Sequence, residues 1–479
     1  ILMLGVLAGY AFYHGTYYIA EEDEEIYYNS ARIFHETGSV RASECTEENI
    51  SKIWGCNWYG PTYNVFYGLI AKVFGFHAYN FLIINIICLL LIALLIYRAE
   101  FNNETKMLIA CMFLSLYAFA AYTFTFYPET IQLLFATILT LLLKNIYDKK
   151  EKGEQTTRLV AGFILLLLFF SLFRLTFSFW AFGLLAFTNT TKSFIKTFLI
   201  GVACFLFAYL YFQYFNAATP TKSLHMASEG LGLSKLVLLA KGFFKNIFNF
   251  FTKNPFYELL NTLIFAMALY MLYLNKNRLL LAACIISFVY FAILLTLYTP
   301  FYFFFDKQTA CLAPLLIIAL CYVGGKNIKK ATLFLLLFFA PIAYLKAYNQ
   351  VKQRKIASIE NDQLKPFSAK LEPVASKIEG GGPKMVLLLY REFDSTIPLT
   401  DFMTNLPVAT ADKSPITYTV NILSTKYPDP VGKYEGKFRT YGRQYVNYFL
   451  SKHPLSIDST TLVYSNDLFF LYKNNKKTK

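Results

Sequence analysis

The sequence predicts an all-α polytopic membrane domain followed by a small α/β or α+β extracytoplasmic domain. Three observations carry that expectation. Over half of the 479 residues (56%) are hydrophobic, and the mean hydropathy is +0.42. Apolar runs of about 17–25 residues recur along the chain, the length a helix needs to cross a bilayer. From about Asn349 onward the runs shorten and Pro, Gly and charge return.

Eleven spans are expected, at 1–19, 78–97, 106–124, 130–147, 159–173, 176–188, 194–214, 257–274, 279–298, 308–323 and 331–348. The fifth and sixth are short and flank Arg174, which suggests a broken or re-entrant pair. The chain opens inside an apolar stretch with no initiator Met, and a short cytoplasmic start is expected before it.

The net charge of +15 would suggest nucleic acid in a soluble chain. Here Lys and Arg collect in alternate short loops: Arg98; Lys149, Lys150, Lys152 and Arg158; Lys192 and Lys196; Lys276 and Arg278; Lys326, Lys329 and Lys330. That is the positive-inside pattern, so these loops are read as cytoplasmic and no nucleic acid is expected. Eleven spans starting inside place 349–479 outside. Its short apolar runs, Met385 to Tyr390 and Thr461 to Tyr464, read as strands, with Gly380-Gly381-Gly382-Pro383 as a turn.

The first outer loop, 20–77, opens on Glu21-Glu22-Asp23-Glu24-Glu25, then Ile26-Tyr27-Tyr28. Five carboxylates at a membrane boundary repel one another beside a low-dielectric medium. Such groups commonly handle a proton, hold a cation or face a phosphate. Further along, Trp58-Tyr59-Gly60-Pro61-Thr62-Tyr63 leads into 61–76, where Val65, Phe66, Leu69, Ile70 and Val73 recur at helical spacing. This predicts a helix lying in the interface, in contact with membrane lipids. Cys45 and Cys56 lie in the same loop, where an oxidising compartment permits a disulfide. The other outer segments are Tyr127-Pro128-Glu129-Thr130, the basic stretch 215–256 and Phe305-Asp306-Lys307-Gln308. Carboxylates there can deprotonate a hydroxyl or hold a divalent metal, and Lys307 or Arg174 can receive a phosphate leaving group.

This layout resembles the GT-C superfamily of membrane glycosyltransferases, which use polyprenyl-phosphate-sugar donors. Asp23-Glu24-Glu25-Ile26-Tyr27 is similar to the family's Asp-Glu-x-x-Tyr motif after the first span, and Ala31-Arg32 with Glu36-Thr37-Gly38 continues it. Gly60-Pro61-Thr62-Tyr63 looks like the start of the family's interfacial helix, and Glu129 like the acidic residue after the third span. The likeness is to a group holding protein mannosyltransferases, aminoarabinose transferases and serotype-converting O-antigen glucosyltransferases. Tyr59 stands where the aminoarabinose transferases carry a basic residue.

The resemblance implies an inverting transfer from a polyprenyl-phosphate-sugar to an acceptor hydroxyl on an O-antigen, glycolipid, other glycan or protein. It implies Asp23 as base with Glu24 in support, Lys307 and Arg174 at the donor phosphate, and Glu129, Tyr27, Tyr59 and Tyr63 nearby. A divalent metal on Asp23 and Glu129 is compatible with it. The setting implied is the bacterial inner membrane, with the active site facing outward. Two other classes stay open: a lipid-linked-sugar flippase or transporter, and an O-antigen polymerase or ligase using the basic segment 215–256.

Overall fold

A computed structural model describes residues 22–38, 60–215, 240–248, 255–297, 310–324, 328–368, 384–391, 417–424, 448–451, 460–467 and 469–475, with a few isolated positions. Most of the expected first span, Cys45, Cys56, Tyr59, Lys307 and the 380–383 turn lie outside the described residues. By internal contacts the chain divides into two units. One comprises Ile1–Asn57, Tyr63–Phe81 and Asn349–Lys479, the other Trp58–Thr62 and Leu82–Tyr348.

The larger unit is helical. It contains most of α3 (Tyr79–Arg98), then α4 (Asn103–Ser115), α5 (Tyr117–Ala121), α6 (Glu129–Glu151) and α7 (Thr157–Ser171). A 3₁₀ segment (Leu175–Phe187) follows, then α8 (Thr191–Tyr214), α9 (Pro255–Asn275), α10 (Arg278–Leu297), α11 (Leu312–Gly324) and the first half of α12 (Lys329–Ser368). Every residue of α11 from Leu312 to Cys321 is buried. A helix apolar all round belongs in the middle of a bundle, and α11 packs against α4, α6, α9 and α10. By contrast α3, α8 and α12 leave Leu90, Leu94, Leu199, Leu210, Leu337 and Phe338 exposed. Apolar surface of that extent on long helices is suited to lipid.

Among the described residues four helices are long and apolar enough to cross a membrane: Tyr79–Arg98, Glu129–Glu151, Thr191–Tyr214 and Lys329–Lys352. A fifth is counted if Asn103–Ser115 and Ala118–Phe124, bent by 75°, form one span, and five more apolar helices are shorter. The shortening has a local cause. Leu116 (φ −77°, ψ 128°) and Arg174 (φ −152°, ψ 119°) are extended. Leu116 interrupts a run that hydropathy alone reads as continuous, and Arg174 stands between the two short runs expected as a broken pair. Past Arg174 the chain tightens into a 13-residue 3₁₀ segment, long for that conformation. It packs on α7, α8 and α10.

At the other end of α6, Lys144 is 2% exposed and 2.7 Å from Asp148. It donates to the Glu100 carbonyl at 3.2 Å and lies over the rings of Phe101 and Tyr322. Tyr322 donates to Asp148 at 2.7 Å. This buried charge is therefore paired and hydrogen-bonded, as burial requires.

In the smaller unit, α1 (Glu22–Thr37) and α2 (Thr62–Phe74) meet along small residues. Acidic residues in the first turn of α1 suit a helix N-terminus. The helix stops at Gly38 (φ +72°), whose N–H donates to the Phe34 carbonyl at 2.9 Å, a left-handed glycine cap. Glu24, Tyr27, Tyr28 and Ala31 are all buried, and their i, i+3, i+4, i+7 spacing defines one face. On α2 the buried set is Tyr63, Asn64, Tyr67, Gly68 and Ala71, whereas Leu69, Val73 and Phe74 are exposed. The stripe expected to meet lipid is thus turned away from the protein interior.

A Cβ at Gly68 would stand 2.5 Å from Phe34 Cδ1 and 3.0 Å from the Ala31 carbonyl oxygen. Gly68→Ala should cost about 1–3 kcal/mol by overpacking, read as a lower thermal midpoint of the purified protein. An unchanged midpoint would refute that contact.

The same unit holds a mixed five-stranded sheet in the order β2-β1-β3-β5-β4: β1 (Lys384–Arg391), β2 (Thr417–Ser424), β3 (Tyr448–Ser451), β4 (Thr460–Ser465) and β5 (Phe470–Asn474). β1 runs parallel to β2 and β3, and β5 antiparallel to β3 and β4. The continuous apolar run Met-Val-Leu-Leu-Leu-Tyr in β1 suits a strand flanked on both sides in a parallel arrangement. The edge strand β4 is largely exposed. Phe469, Leu471 and Tyr472 supply buried side chains at and beside β5.

Candidate active site

Candidate residues occur in both units. In the smaller one, Asp23 and Glu24 open α1. The side chain of Asp23 lies outside the described residues. Glu24 is 0% exposed, and both its oxygens are taken by one guanidinium. Arg354 Nη1 donates to Oε2 at 2.8 Å, and Nη2 donates to Oε1 at 2.6 Å. Arg354 is itself buried, with 1% of its side chain exposed. A bidentate Arg–carboxylate fork fixes orientation as well as distance. Arg354 was not a sequence candidate. It lies in α12, which continues through residue 348 to Ser368 as a single helix. The signal was present, since Ala343, Ala347, Val351 and Arg354 continue a buried face at helical spacing past that point.

Tyr27 and Tyr63 are each 1% exposed and meet edge to face with ring centroids 5.7 Å apart. Both pack α1 on α2. Tyr28 contacts Phe76 and Phe81, and Tyr67 stacks on Phe81 at 4.3 Å. Lys72 lies over Phe34 at 5.0 Å. The acidic turn is thus the start of an aromatic-packed helix, where the sequence alone reads a loop.

In the larger unit, Gly60 has φ +77°, a conformation open to glycine, and a Cβ there would meet Phe212 at 2.7 Å. Beyond Pro61, the Thr62 hydroxyl donates to the Leu172 carbonyl at 2.6 Å and is 2.8 Å from the Tyr211 hydroxyl. The Gly-Pro-Thr run is therefore fixed against the end of α7 and the last turns of α8.

Glu129 follows Pro128 in the first turn of α6. The turn before it is clamped by Asn85 of α3, whose amide donates to the carbonyls of Tyr122, Thr123 and Thr125. Glu129 is 1% exposed and 3.7 Å from Arg174, and Arg174 also donates to Gln132 Oε1. Arg174, the extended residue that opens the 3₁₀ segment after α7, thus brings its guanidinium to Glu129 and Gln132, one turn apart on α6. Gln132 was not a sequence candidate. Tyr290 is fully buried, and its hydroxyl oxygen is 3.4 Å from Cys311 Sγ.

Lys307, Tyr59 and the Cys45–Cys56 pair fall outside the described residues. Of the 215–256 segment, residues 240–248 are helical, with Phe244 and Phe248 exposed. Among the described residues no three His, Cys, Asp or Glu side chains come together as a metal site. What the two clusters offer chemically is a pair of buried Arg–carboxylate contacts, one beside Asp23 in sequence and one at Glu129.

No family model matches the chain, and no curated protein matches it. Two solved structures do. The crystal structure of ArnT from Cupriavidus metallidurans bound to undecaprenyl phosphate aligns over 98% of this chain and 97% of that one, at 10% identity and a TM-score of 0.49. Its apo state aligns over the same shares at 10% identity with a TM-score of 0.44. Likeness at that level carries no conclusion about activity.

Proposed function

We propose that the chain is a polyprenyl-phosphate-sugar-dependent glycosyltransferase of the GT-C kind, acting at the outer face of a bacterial inner membrane. The observation that carries the reading is the Asp23-Glu24-x-x-Tyr27 motif, whose Glu24 and Tyr27 are buried on one face of α1. Five acidic residues at a solvated loop would need no such anchoring.

In this reading Asp23 takes the proton from an acceptor hydroxyl as that oxygen attacks the anomeric carbon of the donor sugar. The new glycosidic bond forms as the bond to the lipid phosphate breaks, and the polyprenyl phosphate leaves with the electron pair. A single displacement inverts the anomeric centre. Lys307 and Arg174 stabilise charge on the departing phosphate. Arg174 is paired with Glu129, so a phosphate competes with that carboxylate. Glu129 then sets how strongly the guanidinium is offered, and the exposed apolar stripe of α2 is suited to contact with the lipid. Eleven spans, an outward C-terminal region, and a glycan, glycolipid or protein acceptor of the O-antigen or lipopolysaccharide type belong to the same proposal.

The test is transfer by the purified full chain in lipid nanodiscs from a panel of undecaprenyl-phosphate-linked ¹⁴C-hexoses and pentoses, with cell-envelope extract as acceptor. A covalent labelled product from a monophosphate donor is expected. Transfer only from diphosphate-linked glycans would point instead to a polymerase or ligase. In proteoliposomes, label crossing the bilayer without a product would point to a flippase.

A further inference from the structure

Arg354 makes a buried bidentate contact in the smaller unit, and nothing in the reaction just outlined uses it. It is joined to Glu24 across 330 positions of sequence by two short hydrogen bonds. Both residues are essentially inaccessible to water. Stability alone is a weak reason for such a pair, because removing two charges from water costs several kcal/mol, and apolar side chains of similar volume often do as well. What a bidentate fork supplies and an apolar contact does not is a fixed rotation and height of one helix against another.

Its location makes that constraint consequential. The first turn of a helix lacks partners for its N–H groups and frays most readily. On α1 the later turns are held elsewhere, Tyr27 against Tyr63 and Phe34 beside Gly68. Arg354 grips the first turn at Glu24, one position after Asp23. It does so from α12, in a stretch where Ala347 and Val351 are fully packed.

We infer that Arg354 is a positioning residue for the base: it locks the first turn of α1 through Glu24 and so fixes where Asp23 meets the acceptor hydroxyl. Glu24 is then the handle by which that turn is held rather than a second base. This rests on the reading of Asp23 as the base.

The experiment compares Arg354→Lys, Arg354→Met, the swap Glu24→Arg/Arg354→Glu, and Asp23→Asn, in the full chain in nanodiscs with the donor found in the panel above. Lysine keeps the charge but not the fork. Arg354→Lys is expected to stay folded, judged by a monodisperse elution peak and near-native thermal midpoint, and to lose roughly tenfold in kcat with KM for donor and acceptor unchanged. Arg354→Met should lose about 100-fold, the scale of a 1 Å misplacement. The swap should recover most of the kcat lost.

Wild-type kcat in both single variants, with Asp23→Asn inactive, overturns the positioning role and leaves the function standing. So does a kcat that falls only in step with the folded fraction. An active Asp23→Asn, or no transfer by the unmodified chain from any donor of the panel, overturns the reading of the base and this role with it.

Discussion

Asp23→Asn is expected to lower kcat by about 10²–10⁴-fold, the usual contribution of a positioned general base, while expression, membrane insertion and KM for the lipid donor stay near those of the unmodified chain. Asn has the shape of Asp but cannot take a proton at neutral pH, so the loss should fall on the chemical step. Single-turnover transfer from the labelled donor reads it directly, separating chemistry from product release. Glu25→Gln serves as the contrast and should change kcat by less than about threefold if one carboxylate of the cluster is the base. Equal losses at Asp23 and Glu25 would contradict that assignment, and wild-type turnover in Asp23→Asn would remove it.

The largest stability effect is expected at the Glu24–Arg354 pair. Glu24→Leu removes the bidentate partner of a guanidinium that is 1% exposed, and breaking a buried pair from one side costs about 3–5 kcal/mol. Arg354→Met does the same from the other side. The double variant Glu24→Leu/Arg354→Met should lie within about 1 kcal/mol of the unmodified protein, because neither charge is then left desolvated without its partner. Thermal or denaturant unfolding of the four proteins gives the coupling energy, and two additive losses would refute the pair. The double variant also separates stability from turnover. It should unfold like the unmodified chain yet keep the low kcat of Arg354→Met, since an apolar contact does not orient the first turn as a fork does.

The contrast between Glu24 and Glu129 shows what could be read in advance. Both stand out in the sequence as acidic residues at the ends of apolar runs, a property of a few neighbouring positions. Arg174 also stands out in the sequence, as the charge between two short apolar runs, and the broken pair expected there coincides with the extended backbone at Arg174. Its pairing with Glu129, rather than with Lys307 at a phosphate, is a product of the fold. The expected strands at 385–390 and 461–464 fall within β1 and β4, because short apolar runs bounded by turn residues are local signals. For Glu24 the partner was not in view. Arg354 sits among Lys352, Lys355 and other polar residues, and composition alone reads that stretch as the start of a different region.

The sequence by itself determined the quantities that depend on near neighbours. These are a membrane-embedded helical chain, alternating basic loops, an acidic turn at a boundary, and an apolar stripe on 61–76. Hydropathy and helical periodicity are summed over adjacent residues, so no fold is needed to read them. The tertiary structure decided which of the described charges are held, and by what. Burial turns a carboxylate into a liability unless a cation arrives with it, and that cation comes from wherever the chain returns. For Glu24 it comes from residue 354 of a helix that hydropathy ends near 348. Only the folded arrangement, bringing together residues 330 positions apart, shows Glu24 as a buried, anchored carboxylate.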